Sequence, residues 1–299
     1  MLRRPIEVGN QGLPPRLLAV GGRSNYNRLQ EIYLAAGVGQ AVIHAQNTMS
    51  DSAFRLDDRW AVVTGSTSGI GRAIALELAA AGAHVIVHGR NAPAAEEVCE
   101  HIRGMKRQAA AVVTDLADPA GRAALVDQAW SGRPIDVWVN NAGVDVLTGE
   151  AADWSFEQKL ERLWQVDVQA TVDLSRAVGQ RMRERTSGVI LNIGWDQAEL
   201  GMAGDSGELF GAIKGAVMDF SRSLAKSLAP HVRVNCIAPG WIRTAWGRSA
   251  PEYWQERAKS ESLLARWGEA EDIALVARFL ASPAAAFING QVIAVNGGR

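Results

Sequence analysis

A chain of 299 residues that is 47% hydrophobic and 21% charged can bury a sizeable core without disulfides or a structural metal. Its formal net charge of -1 removes any whole-chain attraction to nucleic acid or anionic membrane, so neither is expected as a partner. No apolar run reaches the roughly 20 residues of a membrane helix, and the two cysteines, Cys99 and Cys236, stand in no metal-ligand spacing. They are read as buried thiols of a cytoplasmic protein with no metal site.

Residues 1–48 carry five Arg, no Lys and two acids, and they precede a second methionine, Met49. The readings, in order, are a mis-assigned start with Met49 as the true one, a disordered extension, and a targeting segment, the last weakened by Glu7 and by few serines. A short helix over 28–46 is opposed by Gly37 and Gly39. The folded domain is expected over 49–299.

From Trp60 onward, short β-branched runs alternate with helical stretches. Strands are expected at 60–64, 84–88, 110–114, 137–140, 188–193, 233–237 and 292–295. Their centres are apolar and carry few charges, as parallel strands covered on both faces require. Helices are expected at 71–81, 94–104, 119–131, 155–185, 208–228 and 270–280. Alternation of this kind predicts an α/β fold: a doubly wound, Rossmann-type parallel sheet of about seven strands, with its ligand at the carboxyl ends of the strands.

Thr64-Gly65-Ser66-Thr67-Ser68-Gly69-Ile70-Gly71 follows the first strand and opens the first helix. In that setting the three glycines serve a tight turn, close backbone approach to a pyrophosphate, and helix–strand packing. The helix N-terminus turns free N–H groups and a favourable dipole toward the phosphates. Gly65, Ser66, Ser68, Gly69, Ile70 and Gly71 are therefore candidate dinucleotide-binding residues. The second strand ends in His88-Gly89-Arg90-Asn91, with a cation where an NAD-selecting domain often places an acid. The planar fork of Arg90 suits a ribose 2′-phosphate, so NADP(H) is preferred and NAD(H) remains possible. Asp115-Leu116 and Asn140-Asn141-Ala142-Gly143 end the third and fourth strands on the same edge.

These motifs, together with Pro239-Gly240, resemble the short-chain dehydrogenase/reductase family over about 240 residues from Asp58 onward. Arg266-Trp267-Gly268, Glu271-Asp272-Ile273-Ala274 and the segments Gly290-Gln291 and Gly297-Gly298 resemble its 3-oxoacyl-(acyl-carrier-protein) reductase branch. The resemblance implies that Asp115 and Leu116 meet adenine and that Asn141, Ala142 and Gly143 support the cofactor. It also implies that Pro239, Gly240, Ile242 and Thr244 cover the nicotinamide, and that the protein assembles as a homotetramer or homodimer.

Members of that family usually carry a Ser after the fifth strand, a Tyr-x-x-x-Lys on the next long helix and an Asn on the preceding one. At those places this sequence holds Trp195, Phe210 with Lys214, and Asp167. Phe210 and Lys214 share a helix face, so Lys214 can still reach the cofactor ribose. Phenylalanine has no proton to transfer, and no tyrosine lies between Tyr33 and Tyr253. A substitute donor is expected among Asp196, the first choice, then Asp205 and Glu208, a carboxyl whose setting raises its pKa being able to serve. For Asp167 the readings are a carboxylate that holds a water or pairs with Lys214, or a helix-face carboxylate with no chemistry. Trp195, Phe210, Trp241 and Trp246, out of ten tryptophans in the chain, are candidate substrate contacts. Three functions follow. The first is an NADP(H)-dependent oxidoreductase reducing a small carbonyl or acyl thioester with an unusual proton donor. The second is an NADP(H)-binding protein without turnover, and the third a non-redox acid/base enzyme in the same pocket.

Overall fold

The computed structural model describes residues 52–299, and the readings made for residues 1–48 lie outside them. Seven strands form one all-parallel sheet in the order β3-β2-β1-β4-β5-β6-β7. They are β1 (Trp60–Val63), β2 (His84–Gly89), β3 (Ala109–Val113), β4 (Val137–Asn140), β5 (Gly188–Ile193), β6 (Val232–Pro239) and β7 (Val292–Val295). The helices are α1 (Gly69–Ala80), α2 (Ala92–Gly104), α3 (Pro119–Trp130), α4 (Phe156–Leu163), α5 (Ala170–Glu184), α6 (Gln197–Leu200), α7 (Asp205–Leu228), α8 (Ala245–Ser249), α9 (Glu252–Ser260) and α10 (Ala270–Ala281). The doubly wound architecture read from the sequence is the one observed.

Side-chain alternation along each strand builds two cores. Ala61, Val63, Val85, Val87, Val137, Val139 and Leu191 face α1, α2 and α10, while Val62, Ile86, Trp138 and Ile190 face α3, α5 and α7. Both faces are buried, which is why the centres of these strands are apolar. Cys99 and Cys236 are free and buried within this packing. Because β1 neighbours both β2 and β4, the crossovers leave it in opposite directions and open a crevice above its carboxyl end.

Two departures from expectation bear on the site. The helix foreseen over 155–185 is interrupted by a π-helical turn, Trp164–Gln169, between α4 and α5. Such wide turns occur mostly at functional sites, and this one buries Val166, Asp167 and Val168 together. The helix foreseen from Glu208 begins three residues earlier, at Asp205. Among the described residues no helix is long and apolar enough to cross a membrane.

Candidate active site

A cavity of about 640 Å³ lies above the carboxyl ends of β1, β2, β4, β5 and β6. Its floor at one end is the glycine turn. Gly65 has φ +63 and Gly69 φ +51, and a Cβ at Gly71 would overlap Gly65 O and Asn141 Nδ2. Only glycine fits these places. The N-cap of α1, Ser68, makes no side-chain cap bond and no acid occupies the first turn, so the first N–H groups of the helix stay available to an anion. Asn141 Nδ2 donates to Thr64 O at 3.0 Å and Gly65 O at 3.2 Å, and Thr64 Oγ1 accepts from the N–H groups of Asn141 and Ala142 at 3.0 Å each. The ends of β1 and β4 are thus tied together around the turn. A dinucleotide pyrophosphate fits this cradle of bare backbone and uncapped helix end.

Ser68, Gly69, Ile70, Arg90, Asp115, Leu116, Ala142, Gly143, Pro239, Gly240, Ile242 and Thr244 also line the cavity. Arg90 is exposed at its rim. The carboxylate of Asp115 accepts Ala117 N at 2.9 Å, which with Arg162 at 3.4 Å holds its pKa below the ordinary value. Ser66 departs from expectation. It is fully buried, with Oγ donating to Val63 O at 2.7 Å and accepting His88 N at 3.0 Å, so its hydroxyl joins β1 to β2 rather than meeting a ligand.

His88 went unnoticed as a site residue. Its Nδ1 accepts Gly65 N at 3.2 Å, and its Nε2 faces Thr114 Oγ1 at 3.2 Å. Burial pushes its pKa down to about 4. The signal available in sequence was a lone polar residue at the ligand end of an otherwise apolar strand.

At the other end of the cavity stand Trp195, just after β5, and Phe210, on the first turns of α7, with ring centroids 6.2 Å apart at 70°. Lys214, one turn further along α7, lines the same wall. Its ammonium is 2.8 Å from Asp167 Oδ2 and 3.5 Å from Ile193 O. The side chain of Asp167 is 2% exposed, and Oδ1 accepts Val144 N at 3.1 Å. The π turn is what carries this carboxylate inward. Trp241 and Trp246 also line the cavity, joined by Trp254 and Trp267. No tyrosine is among the lining residues, and Tyr253 is 65% exposed.

Asp196 does not meet the cavity, contrary to its candidacy as proton donor. Its N–H bonds Pro239 O at 3.1 Å and it begins α6, which turns the carboxylate behind the site. There Oδ2 accepts Asn296 Nδ2 at 3.0 Å and pairs with Arg299 Nε at 3.1 Å. Burial, the foremost effect, raises its pKa, with Asn296 and Arg299 opposing. Asp205 and Glu208 are exposed on the first turn of α7 and do not line the cavity either.

Residues 65–299 match the family described as enoyl-(acyl carrier protein) reductase. The chain belongs to the short-chain dehydrogenase/reductase family. As such it is an NAD(P)-dependent oxidoreductase acting on alcohol and carbonyl groups. Among its relatives are the galactitol 2-dehydrogenase (L-tagatose-forming) of Cereibacter sphaeroides and the 3-oxoacyl-(acyl-carrier-protein) reductase of Pseudomonas aeruginosa. The first is 35% identical over 82% of this chain and 96% of its own length, the second 35% identical over 81% and 98%. The solved structure of a gluconate 5-dehydrogenase from Burkholderia cenocepacia, in complex with NADP and tartrate, superposes with a TM-score of 0.75 at 30% identity, covering 83% of this chain and 97% of that one. These short-chain relatives act on a polyol, an acyl thioester and a sugar acid by name, so membership leaves the substrate open.

Proposed function

We propose that this protein is an NADP(H)-dependent carbonyl reductase in which Lys214, rather than a tyrosine or Asp196, delivers the proton. The reading rests on one observation: Lys214 lines the Trp195–Phe210 end of the cavity, its Nζ held there 2.8 Å from the carboxylate of buried Asp167. Trp195 and Phe210 stand where the family places its Ser and Tyr, and neither offers a proton. Arg90 supports preference for the 2′-phosphorylated cofactor, since its guanidinium is free at the cavity rim to form a forked pair. The glycine turn and the N-terminus of α1 hold the pyrophosphate, and Asp115 and Leu116 border the adenine.

When bound, the cofactor supplies a hydride to the carbonyl carbon. Negative charge then develops on the carbonyl oxygen, and a fixed ammonium in a partly desolvated wall stabilises it. Lys214 passes one proton to that oxygen, giving the alcohol, and regains it from solvent through the open cavity. Asp167 keeps the Lys214 side chain aimed into the cavity. Acyl thioesters remain within the substrate range. Assembly of like copies is favoured by Phe287, fully exposed, and Leu275, 55% exposed, two large apolar side chains in the chain segments around α10 and β7; light scattering of the full chain reads it.

The test is NADPH oxidation by the full chain, followed at the nicotinamide absorbance against ketones and oxoacyl thioesters. Lys214→Met is expected to lower kcat by about 10²-fold or more at saturating cofactor, the ordinary scale of a lost acid. Asp196→Asn is expected to keep kcat within roughly threefold, as a group outside the transition state should. A Lys214→Met variant with undiminished kcat, or an Asp196→Asn variant without turnover, would return the proton to another group.

A further inference from the structure

We propose that the substrate is an uncharged ketone or aldehyde carried on a flat aromatic ring system, held between two aromatic walls; the inference rests on the carbonyl-reductase reading of the same cavity. One wall is Trp195 with Phe210. The other is built from the segment after β6: Trp241 lies 6.4 Å from Trp246 at 26° and 5.5 Å from Trp254, while Trp246 and Trp254 are 5.9 Å apart. Trp267, 1% exposed, backs this group at 6.1 Å from Trp241 and 6.3 Å from Trp246.

Packing alone does not account for the arrangement. The core indoles of Trp138 and Trp267 are fully buried, whereas Trp241, Trp246 and Trp254 are left half-buried with surface facing the cavity. Apolar surface kept open in a concavity gains most when a ligand covers it. The wall is also braced from behind. Trp241 Nε1 donates to Glu261 Oε2 at 2.8 Å, and Glu261 Oε1 accepts Arg257 Nε at 2.7 Å. The guanidinium of Arg257 then sits 5.8 Å from the Trp241 ring and 5.2 Å from the Trp254 ring, outside the cavity lining. The Trp241 N–H and the Arg257 charge are thereby paired outside the cavity lining.

The polar complement decides the class. Among the described residues the cavity is lined by two cations, Arg90 beside the glycine turn and Lys214 at the reacting end. An anionic substrate would find no further cation between the aromatic walls. A polyol would find few partners, since Asp145 already accepts Leu147 N at 2.8 Å and Thr148 N at 3.2 Å, leaving Ser206 as a hydroxyl near Phe210. Burying its hydroxyl groups unpaired is costly. A flat ring system gains offset or edge contacts with the indoles and asks for one hydrogen bond, from Lys214 to its carbonyl oxygen.

Isothermal titration calorimetry of the full chain saturated with NADP+ tests this without turnover. The probes are 2-acetylnaphthalene, its saturated analogue 2-acetyldecalin, fructose, and an acetoacetyl thioester of N-acetylcysteamine. We expect 2-acetylnaphthalene to bind about tenfold tighter than 2-acetyldecalin, the scale of two or three ring contacts, and fructose to give no heat above dilution. Trp254→Leu should bring the two bicyclic ketones toward parity while NADP+ affinity is unchanged. Equal affinity of the two ketones for the unsubstituted protein, or tighter binding of fructose or the thioester, overturns the proposal. Tight binding of the naphthyl ketone without NADPH-driven reduction of it would instead leave the substrate class standing and remove the reductase reading.

Discussion

Beneath the glycine turn, the imidazole of His88 is a buried acceptor. Gly65 N donates to Nδ1, which places the ring proton on Nε2 toward Thr114. Its pKa of about 4 in the folded protein lies below the 6.5 of the exposed group. Between those values the unfolded chain binds a proton that the folded one refuses. Stability from this residue is therefore complete above pH 6.5 and is lost as pH falls toward 4, to a ceiling of about 3 kcal/mol. Melting temperatures between pH 7 and 4.5 should fall more steeply for the natural protein than for His88→Asn, which keeps an acceptor but does not titrate. Parallel profiles would assign the acid sensitivity elsewhere. The same scale explains why Asp196 misled the sequence reading: a residue's neighbours along the chain say which loop it is in, not which side of that loop its carboxyl takes.

Elements set the site more firmly than single residues do. The start of α1 is usable by an anion because Gly65, Gly69 and Gly71 let backbone approach backbone and because Ser68 leaves the helix uncapped. Gly71→Ala puts a methyl group against Gly65 O and Asn141 Nδ2, two groups fixed by the β1–β4 tie. It is expected to cost about 1–3 kcal/mol of stability, the range for overpacking, and to abolish measurable NADPH binding in a fluorescence titration. Retained affinity would mean the turn can shift aside. The π turn between α4 and α5 is the second such device. An α-helical continuation over 164–169 would change the phase of Asp167, whereas the wide turn buries its carboxylate against Val144 N and Lys214. Hydrophobic periodicity does not reveal a one-residue widening, so the expected single helix over 155–185 missed it.

Across the whole molecule, the segment 296–299 reaches back behind the cavity. Leu263 N and Leu264 N donate to Gly298 O and Gly297 O, and Arg299 spans Asp196 and Glu261, the latter at 3.6 Å. Glu261 also accepts Gln197 Nε2 at 3.1 Å, so α6, the segment after α9 and the chain end share one polar cluster. Asp196 Oδ1 is buried there without a donor. Because its folded pKa is raised above 3.8, the folded state holds the proton more tightly, and this group's contribution to stability declines as pH climbs from 3.8 through the folded value. Relative to the natural protein, Asp196→Asn is expected to gain in melting temperature as pH increases across that window. A constant difference between the two would show that Asp196 binds its proton alike in the folded and unfolded chain.

Sequence by itself determined the doubly wound parallel sheet, the glycine turn at Gly65–Gly71 and the lack of any tyrosine between Tyr33 and Tyr253, hence of one at position 210. Each of these depends on local residue type: apolar β-branched runs, glycines at fixed offsets, and a side chain with or without a proton. The tertiary structure decided that Ser66 joins strands instead of facing a ligand, that Asp196 belongs to a cluster behind the site, that Asp167 pairs with Lys214, and that four tryptophans from one segment gather beside the cavity. Those outcomes depend on which way a side chain leaves a loop and on which distant element packs there. Such directions are settled by long-range burial and hydrogen-bond satisfaction rather than by neighbours in the chain.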